Sequence, residues 1–287
     1  MRHMRNLLRL LLILGAFPLL AASLAAQGGT GVVDISARIT PTAARPEPVR
    51  QFTFYLLTKS YADVVKEVEG QDVLPTREQF IDKWKCSPEL KTWLKSHEVL
   101  DLTSPDLDQV ITTDDIMKIP EFFAAFQRSN SGGVTSGLPK PKFRESDKDS
   151  HPDKYQKQKD EYMAATRKFI ETNPATVQGM ELELAGVNPK PAWDKMQSDH
   201  KRRVAQLAPD TAQVKYLAGK AETDLEGHAV FTGLPAGTYW VSSLGMDAAS
   251  GDRRLMWDVP VKVQDRQTTH VDLSNLNATD FRSSTAP

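Results

Sequence analysis

The chain holds six histidines and one cysteine, the side chains on which metal binding and nucleophilic catalysis most often depend. His3 lies in the first 26 residues, and His97, His151, His200, His228 and His270 are scattered over the rest. No His-Glu-x-x-His pair, no second cysteine and no calcium-loop spacing accompanies them. His200 follows Asp199 and shares a helical face with Trp193 and Met196, which reads as a satisfied rim histidine rather than a ligand. Cys86, beside Trp84, reads as a small buried residue and leaves no intramolecular disulfide possible. The Gly-Gly at 132–133 lacks the following Gly-Lys-Ser/Thr of a phosphate loop, and no Gly-x-Ser-x-Gly elbow occurs. Glu181 and Glu183 flank Leu182 and suggest only an amphipathic stretch. This pattern leans away from an enzyme and implies no metal and no cofactor. A site assembled from distant residues stays open.

Two groups of residues are better suited to binding. The segment 129–153 is long, rich in Gly, Ser and Pro, and then densely charged, and connections of that length are functional or unstructured. Within it, "GLPKPKFRESD" sets fixed-angle prolines beside Lys140, Lys142, Phe143 and Arg144, a candidate recognition surface. The second group is Trp240 with Tyr55. If exposed, the two rings form an aromatic platform for a sugar; if covered, they mark where helices pack on a sheet.

The N-terminus carries Arg2, Arg5 and Arg9, an apolar run over 10–20, and small residues in "AASLAAQ". This is the layout of a secretory signal peptide over 1–26, which places the mature chain outside the cytoplasm, secreted or periplasmic. A short membrane anchor is the alternative, and no later run is apolar enough to span a bilayer. Without its three arginines the chain has 33 Lys and Arg against 37 Asp and Glu, a net charge of −4. Weak acidity gives no support for nucleic-acid binding.

A strong β signature lies near the other end, in "TDLEGHAVFTGLPAGTYWV" (223–241). Ala229, Phe231 and Leu234 alternate as a buried set, and Tyr239, Val241 and Ser243 as another. Asp224 to Gly227 and "GLPAG" (233–237) read as turns, so the two runs between them suggest a hairpin. Further alternation at Trp257, Val259, Val261 and Val263, then at Thr269, Val271 and Leu273, gives more strands. Pro260 makes its strand an edge or a bulged one. The string Thr-Asp-x-x-Gly-x-x-x-Phe-x-Gly-Leu-Pro-x-Gly-Thr-Tyr-x-Val resembles the carboxypeptidase regulatory-like, transthyretin-like family, close to the B-type repeats of surface adhesins. That resemblance implies an antiparallel β-sandwich serving as an accessory, spacer or binding module. Its position two after the turn glycine is usually bulky, and Ala229 departs from this. Some adhesin relatives carry a Lys–Asn isopeptide bond between first and last strands. Here the first strand offers Arg38 and no lysine against Asn275 and Asn277, so none is expected.

A sandwich needs about seven strands. "GVVDISARI" (31–39) and "VRQFTFYLL" (49–57) supply the missing first ones, which splits the domain around a mainly helical insertion. The fold class expected is therefore α+β. Its organisation is a signal peptide (1–26), first strands (27–59), helical insertion with the 129–153 loop (60–212), remaining strands (213–276) and a tail (277–287). In the insertion, "TREQ" (76–79) is a capping box, "SPEL" (87–90) a capped helix start, Pro120 a joint, and 152–172 and 191–207 are helices. "NAT" (277–279) is a glycosylation sequon. The functional expectation is a secreted or envelope-associated, non-enzymatic scaffold that meets a protein or an envelope glycan. A carbohydrate- or cell-wall-binding module and a hydrolase with a site between insertion and sandwich are the rivals.

Overall fold

A computed structural model describes residues 29–131 and 137–279. The signal-peptide reading of 1–26, the middle of the 129–153 loop and the end of the tail lie outside the described residues. Along the chain run β1 (Gly31–Ile39), β2 (Glu47–Pro48), β3 (Thr53–Leu57) and α1 (Tyr61–Gln71). Then come α2 (Arg77–Lys83), α3 (Pro88–Ser96), α4 (Leu107–Val110), α5 (Thr113–Lys118) and α6 (Pro120–Ser129). They are followed by α7 (Asp147–Ser150), α8 (Pro152–Thr172), two 3-10 segments (Pro174–Val177 and Met180–Val187) and α9 (Lys190–Lys215). The chain closes with β4 (Leu217–Glu222), β5 (His228–Leu234), β6 (Gly237–Ser242), β7 (Ala248–Ser250), β8 (Arg253–Leu255), β9 (Asp258–Val263) and β10 (Thr268–Leu273).

The described elements form two compact units, one of residues 29–71 with 204–279 and the other of the described residues within 72–203. In the first unit β1 lies between β10 and β5, with β2 on its end, while β4-β3-β6-β9 forms a second sheet. Pairing is antiparallel except that β1 and β10 run parallel, which departs from the wholly antiparallel expectation. Side chains from both sheets share one core: Val33, Ile35, Ala37 and Ile39 meet Phe54, Leu56, Phe231, Tyr239, Val241 and Trp257. The alternation along β1 is what makes this possible, since period two sends every second residue to one face.

The expected hairpin across "GLPAG" does not form. β5 pairs with β1, whereas β6 pairs with β3 and β9, so the link crosses from one sheet to the other. Gly233 has φ +73 and Pro235 has no N–H, so a ladder cannot continue through the link. The Tyr239 hydroxyl donates to Pro235 O at 3.0 Å and holds the corner, much as corner tyrosines do in other sandwiches. Gly227 is required by its setting: φ is +84, and a Cβ would sit 2.5 Å from Ala37 O. β9 is an edge strand, as Pro260 demands.

Strand β3 is apolar on both faces and is covered on both. Phe54 and Leu56 enter the sandwich core, while Tyr55 and Leu57 pack under α1 and the end of α9 through Val64, Val68, Val204, Ala208 and Ala212. For this reason the first unit takes in α1 and α9 residues that the sequence pattern alone assigns to the insertion. It also explains why α9 runs on past 207, through Pro209. A mid-helix proline costs about 3 kcal/mol. Burial of the Val204, Ala208 and Ala212 stripe offsets that cost.

The second unit has its own core, in which Leu90, Leu94, Ile116, Phe126 and Met180 surround Trp93 and Phe122. The two rings meet edge to face at 4.9 Å. Its helices start where local chemistry satisfies the first amide groups. Thr76 and Gln79 form a capping box, Ser87 caps α3 with Pro88 following, and Pro120 opens α6. No helix among the described residues is long and apolar enough to cross a membrane.

Candidate functional site

The stretch from Leu138 to Arg144 has neither helix nor strand geometry and leads into α7 and α8. It is nevertheless tied at both ends. Leu138 packs against the core of the second unit. Phe143 sets its ring 5.3 Å from Tyr155 and 5.8 Å from Tyr162, with interplanar angles of 82° and 66°. Both tyrosines are buried on α8. Each is fixed by its hydroxyl: Tyr155 donates to Glu145 Oε1 at 2.7 Å, and Tyr162 accepts from Gln127 Nε2 at 2.8 Å. The Glu145 carboxylate also holds the Tyr155 hydroxyl above the usual tyrosine range, so it stays protonated as the donor.

Between these anchors Pro139 and Pro141 restrict the backbone, and Lys140, Lys142 and Arg144 are exposed. Three cations at every second residue, on a strip that Leu138 and Phe143 pin to the protein, can meet an anionic surface at little entropic cost. Of the sequence-derived candidates, Lys140, Lys142, Phe143 and Arg144 are therefore brought together.

Tyr55 and Trp240 are not available as a platform. Tyr55 is 9 % exposed and half-buried Trp240 packs against the same cluster under α1 and α9. Apolar outer-face residues on a central strand need a cover, and the helices supply it. Lys59 and Lys215 close this layer by flanking Glu67 at 2.5 and 2.9 Å, with the Tyr216 hydroxyl donating at 2.7 Å. Lys59, then Tyr216 and Lys215, hold the Glu67 carboxyl down at about 2. Nearby, Asp258 Oδ2 accepts from the Ser60 hydroxyl at 2.9 Å and Ala62 N–H at 3.1 Å, capping α1 from a distant strand. Burial pushes this carboxyl above the usual aspartate range, against those hydrogen bonds.

The histidines of the second unit keep to separate partners. His200 Nδ1 lies 3.1 Å from Asp72 Oδ2, which Arg203 also binds at 2.7 Å. His97 stacks on Trp93, and His151 sits beside Ser150. Burial, then the charge of Glu121, raises the Cys86 thiol away from the reactive thiolate. No cluster of three metal-ligating side chains occurs among the described residues. Asn275 bonds Thr40 N–H and Thr40 O through its amide, and Asn277 bonds Ser274 N–H and Asp272 O. The sequon's Thr279 accepts from Asp258 N–H at 3.1 Å, which ties the end of "NAT" to β9.

Sequence reasoning missed an open groove of about 700 Å³ in the second unit, with Ile111, Ile170 and Val177 on its walls and Asp108 and Glu171 at its lining. Its residues come from four separate elements, α4, α5, α8 and the 3-10 segment Pro174–Val177, and no periodicity links them. The one local signal is Pro174, which stops α8 and turns the chain across the groove. No family model matches the chain, and neither a curated protein nor a solved structure matches it.

Proposed function

We propose that this chain is a secreted or envelope-associated, non-enzymatic scaffold in which a transthyretin-like β-sandwich carries a helical recognition unit. The reading rests on one observation above others: the strip from Leu138 to Arg144 is held by apolar anchors while three cations face outward. Its partner is an anionic protein surface or an anionic envelope glycan. The signal-like N-terminus and the Thr-Asp-x-x-Gly to Tyr-x-Val string support the compartment and the module. Covered Tyr55 and Trp240 speak against the stacked-sugar alternative.

Co-sedimentation of the purified chain with cell-wall sacculi and with envelope protein fractions tests the proposal. Saturable pelleting that falls at least about tenfold in affinity on joint Lys140→Ala, Lys142→Ala and Arg144→Ala substitution is expected, since each lost charge contact is worth a sizeable part of a kcal/mol. Binding unchanged in that variant, or lost only with Trp240→Ala, removes the strip as the site.

A further inference from the structure

The two edges of the β4-β3-β6-β9 sheet are built differently. On β9, Pro260 withholds an N–H, and the Thr269 hydroxyl donates to Lys262 O at 3.1 Å, so that edge is blunted from within the chain. β4 carries neither device. Its outer residues Ala218, Lys220 and Glu222 are exposed, and no described strand pairs with it beyond β3.

The hydrogen-bond phase of β4 can be read from its end. Thr223 N–H donates to Phe52 O at 2.9 Å, and Gln51 N–H donates to Thr223 O at 3.0 Å, so Thr223 turns both polar groups towards β3. Alternation along an antiparallel ladder then turns Ala221 and Gly219 to β3 as well, and Lys220 and Glu222 to the open edge. Their side chains share the outer face, with Lys220 Nζ 6.0 Å from the Tyr55 ring centroid, while Ala221 packs on the core.

We infer that β4 pairs antiparallel with β4 of a second copy of this chain, about a two-fold axis through Ala221. In that register Lys220 of each copy stands directly opposite Glu222 of the other. Both residues present N–H and C=O to the edge, so each opposed pair exchanges two backbone hydrogen bonds. The interface thus gains four backbone bonds and two ion pairs. The neighbouring registers with the same hydrogen-bond phase are disfavoured. An axis through Lys220 opposes lysine to lysine, and one through Glu222 opposes glutamate to glutamate. A lone lysine on an edge strand repels a copy. Lysine and glutamate two residues apart select one register of it. This inference does not depend on what the strip from Leu138 to Arg144 binds.

Sedimentation equilibrium of the purified chain over a wide concentration range tests the pairing. The wild type is expected to show a reversible monomer–dimer equilibrium that weakens with salt. Lys220→Glu alone, or Glu222→Lys alone, should raise the dissociation constant about tenfold or more by opposing like charges. The double variant Lys220→Glu with Glu222→Lys should return it to within about threefold of wild type, because the swapped pair is equally complementary. Both side chains are exposed, and far-UV circular dichroism checks that each variant keeps the fold. A chain monomeric at every concentration, a dimer indifferent to both single reversals, or a double variant that stays dissociated each overturns the inference.

Discussion

Replacing Phe143 with alanine should release the basic strip without unfolding the protein. Phe143 makes two edge-to-face contacts, at 5.3 Å to Tyr155 and 5.8 Å to Tyr162. Such pairs are worth about 0.5–1.5 kcal/mol each, so about 1–3 kcal/mol of local anchoring is lost. At about 1.4 kcal/mol per factor of ten, the open population of the strip rises about 5- to 150-fold. Trypsin reads this directly, because cleavage of a locally opened segment follows its open population when closing is fast. The Lys140–Pro141 bond resists the enzyme, and the Lys142 bond gains a new neighbour in the variant, so the Arg144–Glu145 bond is the cleaner reporter. Mass spectrometry should show cleavage there accelerated by that factor, with the thermal midpoint of the whole chain nearly unchanged. Phe143→Tyr, which keeps the ring, should stay near the wild-type rate. An unchanged Arg144–Glu145 rate in Phe143→Ala means the aromatic contacts do not hold the strip. Acceleration that merely tracks a lower melting temperature means Phe143 belongs to the global core instead.

Four further outcomes follow from the structure. Asp258→Ala removes the acceptor for Ser60 and Ala62 at the start of α1 and should cost about 0.5–2 kcal/mol, as lost caps do, measured by urea unfolding. Because burial raises the Asp258 carboxyl, its charged form is the costly one. Wild-type stability therefore falls as pH rises through the raised value, and Asp258→Asn should lack that fall in a series of melting curves. Glu67 runs the other way: its carboxyl is held at about 2, so its contribution is full above the usual glutamate range and disappears as pH drops towards 2. Glu67→Gln should flatten the acid limb of the melting curve, and an unchanged limb contradicts the Lys59–Glu67–Lys215 account. Residues 72–203, expressed alone, should unfold cooperatively because Trp93 and Phe122 sit in a core of their own, and a broad transition in calorimetry would speak against two units.

Local chemistry was legible in the residues themselves. The alternation of β1, the capping box at Thr76, the proline starts at Pro88 and Pro120 and the edge position imposed by Pro260 each depend on neighbours a few positions away. So did the strip from Leu138 to Arg144, whose prolines, cations and one aromatic lie within seven residues. Pairing partners were not legible. Phe231 and Tyr239 show the same inward alternation whether their strands form a hairpin or face each other from two sheets. Only the non-local partners β1, β3 and β9 decide between these, because a period-two pattern records a face and not a neighbour. The same limit applies to Tyr55 and Trp240, whose alternation fits an exposed or a covered face alike, and Val64, Ala208 and Ala212 cover it. It also hid the extension of α9 through Pro209, where burial against a distant sheet overrode a strong local preference. Residue type and short spacing determined which atoms could cap, anchor or carry charge. Tertiary structure decided which of them are covered, because burial is a property of contacts between segments far apart in the chain.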